Sequence, residues 1–350
     1  MEFAVIGTGL MGCEHIRNLT HVAAVEDINL RAVADPDAGS RDQARLACGD
    51  RFSPAFFEDY RALLSLDLDA VIIASPNFTH IDVVRDLAAS PFHLLLEKPM
   101  CTTLEDCREL VAISQSRSPL TWVALEYRYM SATRAFLEQL PAVGELKRVF
   151  IREHRFPFLP KVGNWNRFNR NTGGTLVEKC CHFFDLMNLV TGAEPVRALA
   201  SGGQDLNHLD ERYDGDTPDI IDNAYVIIEY DNGVRGCLDL CMYAEGSRNE
   251  QELQAVGSLA KLEVHIPENR LQLSPRQGDR IDRIIPHDPA IRYHGYHHGA
   301  SYLELLDFID AARTQRPPTV SAIDGFRSVA MGIAAQTAIA TRTSVDIVQP

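Results

Sequence analysis

The first third of the chain alternates short apolar runs with stretches of helical periodicity. The apolar runs predict strands at Phe3–Ile6, Leu30–Ala34, Ala70–Ala74, His93–Leu96 and Trp122–Ala124. Strands that alternate with helices are typical of a parallel α/β sheet. The run Val71-Ile72-Ile73 is apolar on both faces, as in a strand that helices cover on both sides. We therefore predict a doubly wound α/β domain with a parallel sheet at the N-terminus.

From about residue 121 the pattern changes to apolar and polar residues in alternation. Alternation predicts strands with one solvent-facing side, at Leu146–Glu153, Ala224–Tyr230, Val234–Met242, Glu252–Val256 and Ala260–His265. Asp231-Asn232-Gly233 is typical of a hairpin turn between two of them. Helical periodicity appears at 174–190, 300–313 and 323–340. We predict an α+β domain with a large, open, mainly antiparallel sheet. The expected domains are 1–121 and 122–350, with the C-terminal helix as a candidate to pack back on the first domain.

Composition narrows the class of protein. The length of 350 residues suits two domains. The 34 basic and 48 acidic residues give a net charge of -14, which disfavours nucleic acid as a partner. The 8 cysteines show no CxxC spacing, which is typical of reduced thiols in a cytoplasmic protein. The N-terminus enters a strand without a secretory signal, and no apolar run is long enough to cross a membrane. We expect a soluble cytoplasmic protein without a membrane partner.

A glycine-rich turn follows the first predicted strand and begins a helix. It consists of Gly7, Thr8, Gly9, Leu10, Met11 and Gly12. In a GxGxxG turn the glycines permit the tight turn, the approach of a pyrophosphate and close packing of helix on strand, while the helix N-terminus faces the phosphates. This order predicts a Rossmann dinucleotide site.

Asp35 ends the second strand, twenty-three residues after Gly12. A carboxylate there accepts hydrogen bonds from ribose hydroxyls and repels a 2′-phosphate, which favours NAD over NADP. A turn residue before Pro36 is the ordinary alternative for Asp35. Arg41 is near enough to reach a phosphate, so NADP stays open.

Two further loops follow strands at the edge where doubly wound sheets bind ligands. One contains Ser75, Pro76, Asn77 and His80, and the other is Glu97-Lys98-Pro99. A lysine at that edge can hold an alkoxide or a ribose hydroxyl. A surface salt bridge between Glu97 and Lys98 is the alternative.

Glu178, His182 and Asp185 are spaced i, i+4, i+7 and are expected on one face of an otherwise apolar helix. Buried ionisable groups require partners, so the three form either a catalytic group or a structural hydrogen-bond network. A metal site of Glu178, Cys180, Cys181 and His182 is disfavoured because these side chains diverge around a helix. We predict no metal.

The chain resembles the Gfo/Idh/MocA oxidoreductases, named for glucose–fructose oxidoreductase and inositol dehydrogenase. The resemblance rests on the glycine turn, Asp35, the 75–80 loop, Glu97-Lys98-Pro99 and the stretch from Gly173-Gly174 to Asp185. It implies that Lys98, His182 and Glu178 surround the reacting carbinol, and that the glycine turn, Asp35, Ser75, Pro76, Asn77, His80, Glu97 and Lys98 bind the cofactor. The family has Asp where this chain has Glu178, and Gly where it has Cys180. The role of Glu178 therefore stays open.

The implied reaction is oxidation of a secondary alcohol, with a hydride passing to NAD. His182 has the unperturbed pKa of a base for the hydroxyl proton at neutral pH, and Lys98 is suited to stabilise the alkoxide. Candidate substrate ligands are Trp165, for stacking on a ring, together with Arg167, Arg128 and His298. Glu126 and Tyr127, beside Arg128, are also candidates to face the cleft.

We expect an NAD(P)-dependent dehydrogenase of a sugar, a sugar derivative or a cyclitol. Two alternatives stay open: an NAD-using glycosidase that acts by transient oxidation and elimination, and a non-catalytic dinucleotide-binding regulator. The resemblance also implies a homodimer or homotetramer that pairs through the C-terminal sheet.

Overall fold

The structure is a computed structural model that describes residues 1–350. Its first sheet has six parallel strands in the order β3-β2-β1-β4-β5-β6. They are β1 (Glu2–Ile6), β2 (Asn29–Ala34), β3 (Ala55–Phe57), β4 (Ala70–Ile73), β5 (His93–Glu97) and β6 (Thr121–Ala124). The connecting helices are α1 (Leu10–Val22), α2 (Ala38–Cys48), α3 (His80–Leu87) and α4 (Leu104–Ser116). The predicted Rossmann domain is confirmed. Edge strand β3 was not predicted because three residues are too few to show a pattern.

The second sheet has nine strands in the order β14-β13-β12-β11-β7-β10-β9-β8-β15. They are β7 (Leu146–His154), β8 (Pro195–Gly203), β9 (Asn223–Tyr230), β10 (Arg235–Cys241), β11 (Gln251–Gly257), β12 (Ala260–Ile266), β13 (Arg270–Pro275), β14 (Ile281–Ile284) and β15 (Val345–Asp346). Only β7 and β10 pair in parallel, and the predicted hairpin joins β9 to β10. The open, mainly antiparallel sheet is therefore confirmed.

Six helices accompany the second sheet. They are α5 (Ser131–Gln139), α6 (Asn169–Thr172), α7 (Thr175–Glu178), α8 (Cys181–Thr191), α9 (Ala300–Thr314) and α10 (Ala322–Thr341). Short 3-10 turns lie at Tyr60–Ser65, Asn77–Thr79, Glu126–Tyr129, Leu140–Val143, Val162–Arg167 and Gly295–His297. No helix of the chain combines the length and the apolar character that crossing a bilayer requires.

The last two helices pack back on the first domain. Phe308 of α9 meets the edges of Phe3 and Trp122, and all three side chains are fully buried. Helix α10 packs against both α4 and α8. Burial of these aromatic side chains ties α9 to the first sheet. The predicted division at residue 121 falls inside β6, which pairs with β5 in the first sheet, and the division point stays a prediction.

The helix predicted over 174–190 is interrupted. Helix α7 ends at Glu178 and α8 begins at Cys181, so Lys179 and Cys180 separate them. The Lys179 ammonium turns inward to the Glu153 carboxylate at 3.0 Å and donates to the Tyr127 hydroxyl at 2.8 Å. The expected alignment of Glu178, His182 and Asp185 on one helix face is therefore wrong.

Candidate active site

The glycine turn between β1 and α1 is shaped by close packing on one side and open space on the other. Gly7 has a φ of +82°, and a Cβ there would lie 2.5 Å from the Ser75 nitrogen. A Cβ on Gly12 would lie 1.9 Å from the Gly7 oxygen, whereas a Cβ on Gly9 would meet no atom within 4 Å. Gly7 and Gly12 are thus required by the packing of the protein itself. The open space at Gly9 fits a bound pyrophosphate.

The Asp35 carboxylate is fixed beside that turn by three hydrogen bonds. Its Oδ2 accepts from the backbone nitrogen and the hydroxyl of Thr8, at 2.6 and 3.1 Å, and its Oδ1 accepts from the Asp37 nitrogen at 2.8 Å. Arg41 donates to the Asp35 and Pro36 carbonyls and pairs with Glu58, so its guanidinium already has protein partners. The other acidic residues on this part of the wall are Asp37, Glu58 and Asp59. These carboxylates suit the ribose hydroxyls of NAD and oppose the 2′-phosphate of NADP.

The cleft has a volume of about 1080 Å³ and runs from Asp35 to Lys98. Most of the predicted cofactor residues line it: Gly7, Thr8, Gly9, Leu10, Met11, Asp35, Ser75, Pro76, Asn77, Glu97 and Lys98. Gly12 and His80 do not. The two His80 ring nitrogens lie 3.0 Å from the Pro99 and Ser75 carbonyl oxygens, so His80 joins the two cofactor loops from behind the wall.

Lys98 lies on the wall of the cleft at the end opposite Asp35. Its Nζ donates to the Glu178 carbonyl at 3.3 Å. Burial works against the ammonium charge, but Cys181, Glu126 and Glu97 outweigh it and raise the pKa of Lys98. Lys98 therefore carries a positive charge at neutral pH and is suited to stabilise a developing alkoxide.

A buried ion pair anchors the turn that holds Lys98. The Glu97 carboxylate lies 2.7 Å from His15 Nε2 and also accepts from the Lys98 backbone nitrogen at 3.2 Å. Burial disfavours both charges, yet the bond between the side chains raises the pKa of His15 and lowers the pKa of Glu97. The pair fixes the backbone on which Lys98 stands.

His182 lies behind the wall rather than on it. Its side chain is buried, its ring stacks on Tyr127 at 4.1 Å, and neither ring nitrogen has a hydrogen-bond partner. Burial, followed by Lys98, Lys179 and His297, lowers the pKa of the imidazole well below its usual value. The ring is therefore neutral at neutral pH, with a nitrogen free to accept a proton.

Glu178 lines the cleft and is paired with a lysine that sequence reasoning missed. Its Oε1 accepts from Lys161 Nζ at 2.9 Å, and the same Nζ lies 4.3 Å from the centre of the Trp165 ring. Phe78 meets Trp165 edge-on at 6.1 Å. Lys161 lies in an irregular loop, where no periodicity marks a functional position.

Three predicted substrate ligands do not line the cleft. Arg128 donates to Asp185 at 2.7 Å and to the Thr319 carbonyl, which ties α8 to the start of α10. Arg167 is buried and donates to Glu211 at 2.9 Å. His298 adopts a left-handed conformation with φ of +54° and lies among His287, His294 and His297. The predictions for Arg128 and Arg167 are corrected, because both side chains are engaged elsewhere. A role of His298 in binding substrate stays a prediction. Trp165 does line the cleft.

Sequence reasoning also missed Lys179, and it did not single out His297 from its histidine-rich surroundings. A lysine inside the apolar run Leu176–Phe184 was the available signal for Lys179. The sequence holds no such signal for His297, because only the fold decides which histidine of the patch faces inward. His297 Nε2 lies 3.4 Å from the Glu126 carboxylate.

Comparison with known families gives two matches along the chain. Residues 1–125 match the oxidoreductase family model for an NAD-binding Rossmann fold, and residues 141–347 match that family's C-terminal alpha/beta domain. The first match covers the glycine turn, Asp35 and Lys98. The second covers Glu178 and His182.

The relatives and the solved structures are similar over nearly the whole chain. The myo-inositol 2-dehydrogenase of Thermotoga maritima is 25% identical over 353 residues, covering 99% of this chain and 98% of that protein. The scyllo-inositol 2-dehydrogenase (NAD(+)) of Bacillus subtilis is 26% identical, covering 95% and 92%. A levoglucosan dehydrogenase in complex with NADH shares the fold, with a TM-score of 0.87 at 19% identity and 100% of both chains covered. Since the two family models account for both sheets and for the residues of the cleft, the chain belongs to the Gfo/Idh/MocA oxidoreductase family, and its first domain is an NAD-binding Rossmann domain.

Proposed function

We propose that the chain is an NAD-dependent dehydrogenase that oxidises a secondary alcohol of a sugar, a sugar derivative or a cyclitol. The observation that carries this proposal is the charged Lys98 on the cleft wall, with the neutral, unpartnered His182 behind that wall and within its electrostatic influence. An ammonium and a free imidazole are the pair that alcohol oxidation needs. Relatives named for inositols and a structural neighbour named for levoglucosan support a cyclic, polyhydroxylated substrate.

The cofactor, when bound, supplies the acceptor for the hydride. In this chain the glycine turn and the helix α1 N-terminus hold the pyrophosphate, and Asp35 binds the ribose. Lys98 binds the substrate hydroxyl oxygen and stabilises its negative charge, while His182 receives the hydroxyl proton. Trp165 packs on the apolar face of the ring, and Glu178 with Lys161 binds ring hydroxyls.

A panel of sugars, polyols and cyclitols with NAD and with NADP tests the proposal. The absorbance of the reduced nicotinamide is expected to rise with NAD and at least one cyclic polyol. Release of sugar from glycosides without accumulation of NADH would favour the glycosidase. Tight NAD binding without turnover on either panel would favour the regulator. Either result would overturn the dehydrogenase.

We also propose that the chain pairs as a homodimer or homotetramer through the open face of the nine-stranded sheet. Leu199 of β8 and Ile227 of β9 are register neighbours on that face, and Tyr225 is 64% exposed beside them. An apolar patch of this kind is typical of an interface. Sedimentation is expected to give a dimer or tetramer for the wild type and a smaller species for Ile227→Lys. A wild-type monomer would contradict the proposal.

A further inference from the structure

A buried carboxylate lies between two histidines behind the cleft. Glu126 follows β6, is 1% exposed, and has no hydrogen-bond partner on either carboxylate oxygen. Its Oε1 lies 3.6 Å from His182 Nε2 and 3.4 Å from His297 Nε2. One oxygen thus faces an imidazole on each side.

The second histidine continues this row toward solvent. The His297 side chain is 16% exposed, whereas the side chains of Glu126 and His182 are buried. Its Nδ1 lies 3.7 Å from the Glu14 carboxylate, which accepts from the Tyr296 backbone nitrogen at 3.1 Å. The side chains therefore lead from the buried His182 through Glu126 to His297 at the protein surface.

We propose that Glu126 and His297 carry the substrate's hydroxyl proton from His182 to solvent. This inference rests on the proposed dehydrogenase activity. The C–H bond breaks and its electron pair leaves as a hydride to NAD. The O–H bond breaks, its electron pair forms the carbonyl, and its proton passes to His182, to Glu126, to His297 and to water. One proton leaves in each turnover, and NAD is the oxidant.

The neighbours of His182 make it a poor place for a proton to remain. It is buried near Lys98 and Lys179, so a further positive charge there is unfavourable. Burial raises the pKa of the Glu126 carboxyl, against the influence of His297 and Lys98, so Glu126 accepts a proton readily. The gaps of 3.4 and 3.6 Å exceed hydrogen-bond length by a few tenths of an ångström. Catalytic hydrogen bonds are often this long before the substrate binds.

The surroundings of Glu126 leave it available for this role. Charged and titratable groups face it from several packed elements. They are His15 of α1, Glu97 at the end of β5, Lys98 after β5, its neighbour Tyr127, Cys181 and His182 of α8, His297 of the 3-10 turn Gly295–His297, and Glu304 of α9. Glu97 is paired with His15, and Glu304 accepts from the Trp122 indole. Both carboxyl groups therefore have their hydrogen-bond partners outside the two histidines.

The test compares kcat, KM, NAD binding and pH profile for Glu126→Gln, Glu126→Asp and His297→Ala. His294→Asn is the matched control, since His294 is an exposed histidine of the same turn. We expect Glu126→Gln to lower kcat by about 100-fold with little change in KM, and to change the pH profile of kcat. Glu126→Asp should recover part of kcat. Added imidazole should rescue His297→Ala, and His294→Asn should match the wild type.

These variants separate the proton route from a structural role. Because Glu126→Gln removes a buried carboxylate, thermal unfolding and NAD binding are measured alongside. The more exposed His297→Ala keeps the test valid if Glu126→Gln does not fold. Wild-type kcat and pH profile in Glu126→Gln, or a loss in His297→Ala that imidazole does not rescue, would overturn the proton route and leave the dehydrogenase standing. Absence of turnover by the wild type on every alcohol would overturn both.

Discussion

The polar side chains at the two ends of the cleft differ in whether the protein itself satisfies their hydrogen bonds. At one end, both oxygens of Asp35 accept hydrogen bonds from the protein itself. Behind the wall at the other end, His182 and Glu126 are buried with no hydrogen bond at any polar side-chain atom. The first arrangement holds a carboxylate rigidly for a ligand that binds. The second leaves nitrogen and oxygen atoms without partners, as the proposed proton route requires.

Under the proposed function, the difference separates cofactor binding from chemistry. A buried polar atom without a partner costs roughly 1–3 kcal/mol, so such atoms are retained where their freedom is needed. The paired Glu97 and His15 lie at the Lys98 end and hold Lys98 in place. The comparison therefore predicts that substitutions at the Lys98 end affect turnover, and that substitutions at the Asp35 end affect the cofactor.

The largest effect is expected at Lys98. Lys98→Met keeps the length of the side chain but removes the charge that stabilises the alkoxide. We expect kcat to fall by about 100- to 1000-fold, and NAD affinity to change much less. Steady-state kinetics and calorimetric titration with NAD measure the two quantities. Lys147→Met, at an exposed lysine, serves as the control. A kcat within tenfold of the wild type would contradict the role of Lys98.

The glycine turn offers a pair of substitutions that separate cofactor binding from folding. Gly9→Val fills the open space, so the Kd for NAD should rise at least about tenfold while the Tm of the cofactor-free protein stays unchanged. Gly12→Ala places a Cβ against the Gly7 oxygen. It should destabilise the fold by roughly 1–3 kcal/mol and lower the Tm by several degrees. Equal effects of the two variants on Tm would contradict the distinction.

A smaller effect on cofactor choice is expected from Asp35→Ser. Loss of the carboxylate removes the repulsion of a 2′-phosphate and the hydrogen bonds to the ribose. The ratio of kcat/KM with NAD to that with NADP should therefore fall about tenfold or more, since hydrogen bonds to charged groups contribute roughly 1.5–3 kcal/mol. Asp42→Asn, at an exposed carboxylate of α2 that pairs with Arg45 and does not line the cleft, should leave the ratio nearly unchanged. A wild-type preference for NADP would contradict this account.

Features of the site that depend on local sequence were predicted, whereas those that depend on distant contacts were not. The glycine turn, β2 with Asp35, and β5 with Glu97-Lys98 are strand–turn–helix units, and local patterns are enough to locate them. Arg128 was expected in the site, but its partner Asp185 is 57 residues away in the sequence. No local pattern indicates that such a pair forms.

The break between α7 and α8 has a similar origin. The spacing of Glu178 and His182 predicts one helix face, but Lys179 between them turns to Glu153 on β7. A contact with a distant strand therefore overrides the local periodicity. The burial of His182 follows from the same packing, since its ring stacks on Tyr127, which accepts from Lys179.

The smallest predicted effect concerns Glu304, which is buried like Glu126 but has a partner. Its Oε1 accepts from the Trp122 indole nitrogen at 3.1 Å. Burial, with Glu126 and Glu97 adding to it, raises the pKa of Glu304 well above its usual value. The carboxyl therefore stays protonated in the folded chain at pH values where the unfolded chain has already released that proton.

Glu304→Gln tests this contrast, because an amide oxygen can accept the same indole hydrogen bond without a charge to neutralise. The contribution of Glu304 to stability is full below the unfolded pKa of about 4.3 and is lost as the pH rises toward the raised folded pKa. The Tm of Glu304→Gln should therefore exceed the wild-type Tm at pH 8, with a smaller difference at pH 5. Calorimetry at both pH values measures it, with the exposed Glu138→Gln as the control. A lower Tm for Glu304→Gln at pH 8 would mean that Glu304 is ionised in the folded chain. The hydrogen bond to Trp122 would then not be enough to separate the behaviour of Glu304 from that of Glu126.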